Sequence, residues 1–398
     1  MHHDEKYDVP EVDGDFYMIA NSLTRDDNAL LLRVRSFMES DVQPIINDYW
    51  ERGEFPFELL PRMKALGVAG LPFKGYGCPG RSMTLFGFLM MEVARVDASM
   101  ATFIGVHTAL AMGSIYLCGS DEQKQNWLPA MAALRKVGSF GLAEPDAGSS
   151  VASDLSTLAR RQGDTWILNG QKKWIGNSTW SDLAIIWAKD EDDGEVKGFI
   201  VTNDTPGFHV EKIYRKMALR VVQNGLVTMN DCRVPEMNRL QNANTFKDTA
   251  RILRVARAGI AWETVGCAMG AYEHALHYAQ RREQFGRPIA MFQLVQDLLV
   301  KMLGNVTSMQ SMCLRMSQLQ DQGLMRDEHA SLAKGVCMVR MRETVGWARE
   351  LLGANGILLD HHIGRFVADA EALSSHEGTR EVTALAVGRA ITGFNAFV

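Results

Sequence analysis

Phe140-Gly141-Leu142-Ala143-Glu144-Pro145-Asp146-Ala147-Gly148-Ser149 is the stretch at which the hydrophobic pattern of this 398-residue chain changes its period. On its N-terminal side, between residues 26 and 134, apolar residues recur every three or four positions, as they do along helices that bury one face. Ser120 and Gln123 have the spacing of a capping box that starts a helix. We therefore expect an α-helical domain over residues 1–136.

On the C-terminal side of this stretch the segments become short, rich in β-forming residues and separated by turns. Two of the turns, at residues 162–164 and 192–195, have the Gly and Asp composition of hairpins. We therefore expect a compact antiparallel β domain over residues 137–245. The expected strands cover residues 157–159, 166–168, 173–175, 183–188, 198–201 and 226–229.

Long helical periods return beyond residue 246, in segments at 252–281, 292–322 and 327–352. Helices of about 25 to 30 residues in a globular chain usually form an antiparallel bundle. We expect a four-helix bundle over residues 246–398. The predicted fold class is therefore α+β, with a helical domain, a β domain and a helical bundle in that order.

The composition argues against several classes of protein. The net charge is −5, and no run of five or more basic residues offers a surface to nucleic acid. The six cysteines are scattered without the spacing of a zinc site, so we expect reduced core residues and no metal. The N-terminus lacks a signal-peptide pattern, and no uninterrupted apolar stretch reaches the ~20 residues that span a bilayer. We expect a cytoplasmic protein without nucleic-acid or membrane partners.

Ser374-Ser375-His376-Glu377-Gly378-Thr379-Arg380 is a short polar turn inside an otherwise apolar C-terminal region. A carboxylate in such a turn is a candidate catalytic base, because exclusion of water raises the pKa of a Glu from about 4.3 towards neutrality. The alternative is structural, since a Glu followed by a Gly also suits a junction between two helices. The triplet alone does not decide between the two interpretations.

Three motifs follow one another along the chain. They are the stretch 140–149, then Arg282-Glu283-Gln284-Phe285-Gly286 with Gln293 beyond it, and then His376-Glu377-Gly378-Thr379. With the order of helical, β and helical domains, they resemble the acyl-CoA dehydrogenase and oxidase family over nearly the whole chain. Segments 74–80, 95–99 and 388–393 are most similar to glutaryl-CoA dehydrogenases and plant short-chain acyl-CoA oxidases.

The resemblance implies that the protein binds FAD and converts an acyl-CoA to a trans-2-enoyl-CoA. Glu377 would remove the α-proton while hydride passes from the β-carbon to flavin N5. In the family the motif at Arg282 reaches the FAD of a neighbouring subunit, so the resemblance also implies a homotetramer built as a dimer of dimers. Electron-transfer flavoprotein is a candidate partner.

The resemblance assigns further residues to the cofactor and the substrate. Trp174 would pack against the flavin ring, Arg282 would pair with the pyrophosphate and Phe285 would cover the adenine or ribose. The alternatives are core packing for Trp174 and a surface salt bridge for Arg282. The implied cofactor residues are Phe140, Leu142, Ala143, Ser149, Trp174, Gly176, Arg282, Gln284, Phe285, Gln293, Glu350, Gly353, Thr379 and Glu381. The implied substrate residues are Ser149, Arg257, His376 and Gly378.

Several positions depart from the family pattern. A glutaryl-CoA enzyme holds the distal carboxylate with an Arg assisted by a Glu, but the matching positions here are Ala101 and Ala94. We therefore expect an apolar pocket floor and a short or medium monoacyl chain. Ala143 and Gly176 stand where Thr hydroxyls usually reach the flavin, each hydrogen bond being worth about 1 kcal/mol. His376 replaces the usual Tyr, where it would tune the base, bind a polar chain or fill space.

The primary hypothesis is an FAD-dependent acyl-CoA dehydrogenase. Within the family, the alternative is an acyl-CoA oxidase that passes electrons to oxygen, and Gly176 is shared with the plant oxidases. From other classes, a catalytically silent acyl-CoA-binding flavoprotein would not need Glu377. A flavin monooxygenase of related fold would not need a glutamate base at that position either.

Overall fold

The computed structural model describes residues 13–396, in which a helical part, a β part and a second helical part follow one another. The expected capping box is confirmed, because the side chains of Ser120 and Gln123 each accept a hydrogen bond from the other's backbone amide. A short hairpin of β1 (Lys74–Gly75) and β2 (Cys78–Pro79) interrupts the first helices. These helices are α1 (Arg25–Phe37), α2 (Ile46–Arg52), α3 (Leu60–Leu66), α4 (Met83–Val96), α5 (Ala98–Gly105), α6 (Gly113–Cys118) and α7 (Asp121–Ala132).

One helical run, Ala98–Cys118, consists of α5, a π-helical stretch (Val106–Met112) and α6. Within residues 13–396 it is the one run long and apolar enough, by length and composition, to cross a membrane. Its most apolar window is 83% buried inside the protein. A core helix of a globular fold has the same composition, so the run carries no argument for a membrane.

The middle part is a single sheet, in which each expected segment overlaps a strand. The strand order is β3-β6-β4-β5-β9-β8, with β7 paired to β6. Two short strands at its edges, β3 and β8, were not predicted. The strands are β3 (Gly138–Gly141), β4 (Leu158–Gln162), β5 (Thr165–Gly176), β6 (Leu183–Asp190), β7 (Val196–Thr202), β8 (Phe208–Lys212) and β9 (Asn224–Pro235).

The sheet is mainly antiparallel, as expected, but it contains two parallel pairings that were not predicted. β3 pairs in parallel with β6, from Gly138 opposite Leu183 to Gly141 opposite Ile186. The start of β4 also pairs in parallel with the end of β6. Parallel neighbours are joined by a long stretch of chain and not by a tight turn, so no hairpin signal in the sequence reveals them.

The second helical part starts with α8 and includes a small hairpin, β10 (Glu283–Gln284) and β11 (Arg287–Pro288). Helix α10 packs against α8, α9 and α12, which completes the expected four-helix bundle. The predicted segment 327–352 coincides with α10, whereas α8 begins several residues before the predicted start. The helices are α8 (Phe246–Arg281), α9 (Gln293–Asp321), α10 (Asp327–Leu352), α11 (Ile363–Leu373) and α12 (Arg380–Thr392).

Helix α4 of the first helical part packs directly on α8 of the second. A Cβ atom at Gly266 would lie 2.1 Å from the carbonyl oxygen of Met91, and one at Gly270 would lie 2.0 Å from that of Arg95. No side chain fits at either position, so the two glycines let the helix backbones approach closely. The two helical parts therefore share one hydrophobic core, while the sheet has a core of its own.

Candidate active site

Glu377 lies in the turn between α11 and α12, with a left-handed backbone conformation of φ +52°. Gly378 follows with φ of +105°. Two side chains from the bundle hold the turn: Arg257 Nε donates to the Glu377 carbonyl over 3.4 Å, and Lys334 Nζ donates to the Gly378 carbonyl over 2.5 Å. A non-glycine residue kept in a strained conformation by its surroundings is typical of functional sites.

His376 and Glu377 line a cleft with about 310 Å³ of empty space between α4, α5, the π-helical stretch and α8. Besides these two residues, Thr102 is the one polar side chain that lines it within the described part of the chain. The cleft is therefore mainly apolar, with a carboxylate on its wall. Its apolar walls come mainly from Phe86, Met90, Val106, Ala109, Ala256 and Ile260.

The carboxyl group of Glu377 has the properties of a base. Burial raises the pKa of Glu377 to about 7, while the positive charges of Lys334 and Arg257 act in the opposite direction. Its Oε2 atom is shielded from water and has no hydrogen-bond partner among residues 13–396. A poorly solvated carboxylate with a pKa near neutrality takes up a proton from a weak carbon acid more readily than a hydrated one.

His376 is neutral in this environment. Burial, with a smaller contribution from the charge of Lys334, lowers the pKa of His376 to about 3. Its Nε2 atom is shielded from water and has no hydrogen-bond partner within the described residues. At neutral pH the imidazole therefore offers no positive charge to an anionic acyl chain.

The loop at 142–149 is anchored to the sheet by a buried ion pair. Lys172 Nζ on β5 lies 2.8 Å from Glu144 Oε1 and donates to the carbonyl of Leu142 over 3.1 Å. Glu144 also accepts hydrogen bonds from the amides of Ser156 and Thr157, and its interactions hold its pKa down to about 2 despite burial. This loop is the part of the chain that the family resemblance assigns to the flavin.

The residues assigned to the flavin in this region differ in how far their side chains are exposed to solvent. The side chains of Phe140 and Leu142 are buried, so only their backbone atoms can face a cofactor. Ala143 is half-buried, and Ser149 is exposed.

Trp174 and Gly176 connect this loop to the cleft. The amide of Lys173 donates to the carbonyl of Ala143 over 2.9 Å, so β5 and the loop run side by side. The Trp174 side chain is 56% exposed, which excludes the core-packing alternative. A Cβ atom at Gly176 would lie 3.3 Å from Cγ2 of Val106, which lines the cleft. An exposed indole beside a backbone without a side chain fits a flat aromatic group such as a flavin ring next to the cleft.

The other predicted cofactor residues are not among the described residues that line the cleft. Gln284 and Phe285 belong to the β10–β11 hairpin, and Arg282 lies directly before it at the end of α8. The Phe285 side chain is 90% exposed. Their supply to a neighbouring subunit stays a prediction. Three further residues are exposed and lie at helix ends: Gln293, Glu350 and Gly353. Thr379 caps α12, and Glu381 is exposed and pairs with Arg380.

Two charged residues near the site were not found from the sequence. Lys334 on α10 and Glu263 on α8 are both fully buried. Glu263 Oε1 accepts a hydrogen bond of 2.5 Å from the hydroxyl of Thr102. Each is a single charged residue on the buried face of its helix. Lys334, for example, lies on the same buried face as Ala330 and Cys337. A lone charge in such a stripe is the signal that could have revealed them.

Comparisons with known proteins agree with this geometry. Three domain profiles of acyl-CoA dehydrogenases match the chain in order. The N-terminal domain matches residues 24–135, the middle domain matches 139–232 and the C-terminal domain matches 246–392.

Individual relatives cover nearly the whole chain. The short-chain specific acyl-CoA dehydrogenase of Clostridium acetobutylicum is 30% identical over 371 residues, which are 92% of this chain and 98% of the relative. Subunit CarC of the caffeyl-CoA reductase–Etf complex of Acetobacterium woodii is 30% identical over 359 residues, 89% of this chain and 94% of the relative. A glutaryl-CoA dehydrogenase of Mycobacterium smegmatis, solved in complex with FADH2, is 34% identical with a TM-score of 0.93, covering 96% of this chain and 98% of that one. The chain therefore belongs to the acyl-CoA dehydrogenase family and is an FAD-dependent oxidoreductase.

Proposed function

We propose that this enzyme oxidises short- or medium-chain acyl-CoA thioesters to trans-2-enoyl-CoA with FAD as the cofactor. The observation that carries the proposal is Glu377, a carboxyl group with a pKa of about 7 on the wall of an apolar cleft. The α-proton of a thioester is weakly acidic, so its removal needs such a base in a site from which water is excluded. The short-chain specific relative supports the chain length.

The residues of the cleft bind the chain, exclude water and take up one proton. Phe86, Met90 and Ile260 hold the acyl chain against apolar surface. Glu377 removes the α-proton, which stays on its carboxyl group, while Arg257 and Lys334 hold the turn in place through its carbonyls. FAD, when bound, supplies the acceptor for the hydride that leaves the β-carbon. The C–H bonds at the α- and β-carbons are replaced by a double bond between them.

We also propose a homotetramer, built as a dimer of dimers, in which each β10–β11 hairpin contacts the FAD of a neighbouring subunit. The proposal is supported by the exposed Phe285 ring and by the position of Arg282 directly before this hairpin, where it does not line the cleft of its own chain. A large apolar ring in water is suited to a binding surface. Electron-transfer flavoprotein is the proposed electron acceptor, supported by the Etf complex of the Acetobacterium woodii relative.

The function is tested by anaerobic mixing of the FAD-loaded enzyme with butyryl-CoA and hexanoyl-CoA while flavin absorbance is followed. We expect bleaching by the wild-type enzyme and a loss of roughly 10²- to 10⁴-fold in its rate for Glu377→Gln, which keeps the shape but removes the base. FAD should stay bound. The control is Glu371→Gln, at an exposed residue paired with Arg342.

Bleaching of Glu377→Gln at the wild-type rate would show that another group is the base. Admission of air after bleaching then distinguishes the dehydrogenase from the oxidase alternative, because an oxidase regains its yellow colour rapidly.

The same assay tests the expected discrimination against glutaryl-CoA. Ala94 and Ala101 are fully buried and provide no charge, and no Lys or Arg lines the cleft within residues 13–396. A terminal carboxylate would enter the cleft without a cation, so butyryl-CoA should bleach the flavin at least about 100-fold faster, which corresponds to roughly 3 kcal/mol. Equal rates for the two substrates would show that another residue supplies a positive charge.

A further inference from the structure

One wall residue of the cleft, Thr102, belongs to a buried polar pair. Ala256, Gly259 and Ile260 of α8 line the cleft, and Glu263 follows three residues after Ile260 on the same helix face. Its carboxyl group accepts the hydrogen bond from Thr102, which lines the cleft from α5. Glu263 therefore stands directly behind a wall residue of the cleft.

The pair and the base border the same cleft, and the pair lies further along α8 than the residue that contacts the turn of the base. Arg257 contacts the turn of Glu377, and Glu263 is six residues further along α8, which is roughly 9 Å along the helix axis. The α-carbon of a bound substrate must lie at Glu377 and the β-carbon must lose its hydride. A group that reaches Thr102 and Glu263 therefore belongs to the fourth carbon of the acyl chain or to a later one.

Glu263 forms no direct ion pair within the described residues, although the charge of Lys334 on α10 acts on it without a hydrogen bond. It is fully buried, Thr102 is its one hydrogen-bond partner, and its Oε2 atom has none among the described residues. Burial raises its pKa well above the ordinary value, the Thr102 hydrogen bond opposes this, and the nearby carboxyls of Glu377, Asp97 and Asp369 raise it further. The group is therefore a neutral carboxylic acid with an O–H donor.

A buried donor without an acceptor is unfavourable, and a ligand that supplies an acceptor relieves it. An alkyl chain offers no hydrogen bond to the pair. A carboxylate chain would meet a carboxyl group that forms no direct ion pair within the described residues. A neutral acid can instead donate its O–H to the Thr102 oxygen, which frees the Thr102 hydroxyl to donate to an uncharged oxygen in the cleft without either cost. The second polar residue of the wall, His376, is also neutral and also has an unpartnered nitrogen in the described part of the chain.

We propose that Thr102 and Glu263 form a hydrogen-bonding subsite for an uncharged oxygen on the acyl chain, and that the substrates are acyl-CoAs with a hydroxyl or carbonyl group at the fourth carbon or beyond. The inference rests on the proposed function. Thr102 and Glu263 select the chain, whereas the oxidation is still carried by Glu377.

The test compares matched acyl-CoAs on the FAD-loaded enzyme under anaerobic conditions. The pairs are 4-oxopentanoyl-CoA with pentanoyl-CoA, and 5-oxohexanoyl-CoA or 6-hydroxyhexanoyl-CoA with hexanoyl-CoA. At least one oxygenated chain should exceed its alkyl partner by about 10-fold in the ratio of bleaching rate to Kd, which corresponds to about 1.4 kcal/mol. Equal or better use of the alkyl chains overturns the proposal, as does a preference for 6-aminohexanoyl-CoA, which would indicate an ionised Glu263.

Variants connect the preference to the two side chains. Thr102→Val and Glu263→Leu each remove the hydrogen bond at similar volume, and each should lower the oxygenated-to-alkyl ratio at least 10-fold. Glu263→Gln keeps a neutral polar group and should keep the ratio within about threefold. The matched control is Thr264→Val, because the Thr264 hydroxyl bonds to the Ala261 carbonyl of its own helix. An unchanged ratio in both Thr102→Val and Glu263→Leu overturns the subsite.

Binding to the inactive Glu377→Gln enzyme separates the subsite from the reaction. The Kd of each matched pair is measured by calorimetry on this variant, alone and combined with Thr102→Val. Tighter binding of the oxygenated chain that is lost with Thr102→Val supports the subsite. This holds even if no acyl-CoA bleaches the wild-type flavin, because the absence of bleaching would overturn only the proposed function. Equal binding of oxygenated and alkyl chains overturns the subsite and leaves the dehydrogenase proposal intact.

Discussion

Glu377 combines two opposing influences on one carboxyl group. Burial raises its pKa, which strengthens it as a base, and the charges of Lys334 and Arg257 keep that pKa from rising further. A value of about 7 leaves a substantial fraction of the group ionised at neutral pH. The two cations also hold the backbone of the turn, so position and base strength depend on the same residues.

The pH dependence of the reaction follows from this arrangement. Because the pKa of Glu377 is raised, the active carboxylate forms as pH increases, and kcat/KM should rise between about pH 6 and pH 8. Lys334→Met removes a charge that lowers this pKa, so the rise should move to higher pH by roughly one unit. Lys334→Arg keeps the charge and should keep the profile near that of the wild type. A profile that Lys334→Met leaves unchanged would show that Lys334 acts only on the backbone.

At the scale of elements, the loop 142–149 depends on β5. The Lys172–Glu144 pair is buried, and it joins the loop to the strand that carries Trp174 and Gly176. A buried carboxylate that loses its cation remains uncompensated. The flavin region is thus positioned by an ion pair that contacts neither the cleft nor the base.

Lys172→Met should therefore lower both stability and FAD retention. Breaking a buried pair by removing one partner costs about 3–5 kcal/mol, and the freed loop should bind the flavin less tightly. Thermal unfolding and flavin content after gel filtration measure the two effects. The double variant Lys172→Met with Glu144→Gln removes the unpaired charge and should recover part of the stability. A double variant less stable than the single one would contradict the charge-based explanation.

At the scale of the whole molecule, the cleft lies between two helical parts that share one core. Because α4 and α8 approach closely at Gly266 and Gly270, apolar side chains of both helical parts line the same cleft. The β10–β11 hairpin is exposed and does not line this cleft. One chain would therefore supply the proposed base and acyl site, and the proposed assembly would supply the remaining contacts to FAD.

Arg282→Ala tests this division between subunits. If the hairpin binds the pyrophosphate of a neighbouring FAD, the variant should lose flavin and shift towards smaller assemblies at the same time. Size-exclusion mass and flavin content per chain are measured together. The control is Arg281→Ala, the adjacent exposed residue on the end of α8. Unchanged mass and unchanged flavin content in Arg282→Ala would show that the motif does not act across the interface.

Much of the fold was predictable because its signals are local. The capping box at Ser120 and the helix Asp327–Leu352 are set by spacing within one or two turns. The parallel pairing of β3 with β6 was not predictable, since it joins residues more than 40 positions apart that no single tight turn connects. The same difference between local and distant interactions applies to the site.

The sequence by itself determined the order of helical and β parts, the family resemblance and Glu377 as the candidate base, because motifs and periods are properties of neighbouring residues. Only the tertiary structure decided that Lys334 and Glu263 are buried beside the site. A charged residue in a helix is ordinarily solvated, and nothing in its neighbours along the chain reports what packs on it from another helix. The pKa of Glu377 and the neutral state of His376 depend on that burial, so the chemistry of the cleft was decided by packing between elements distant in sequence.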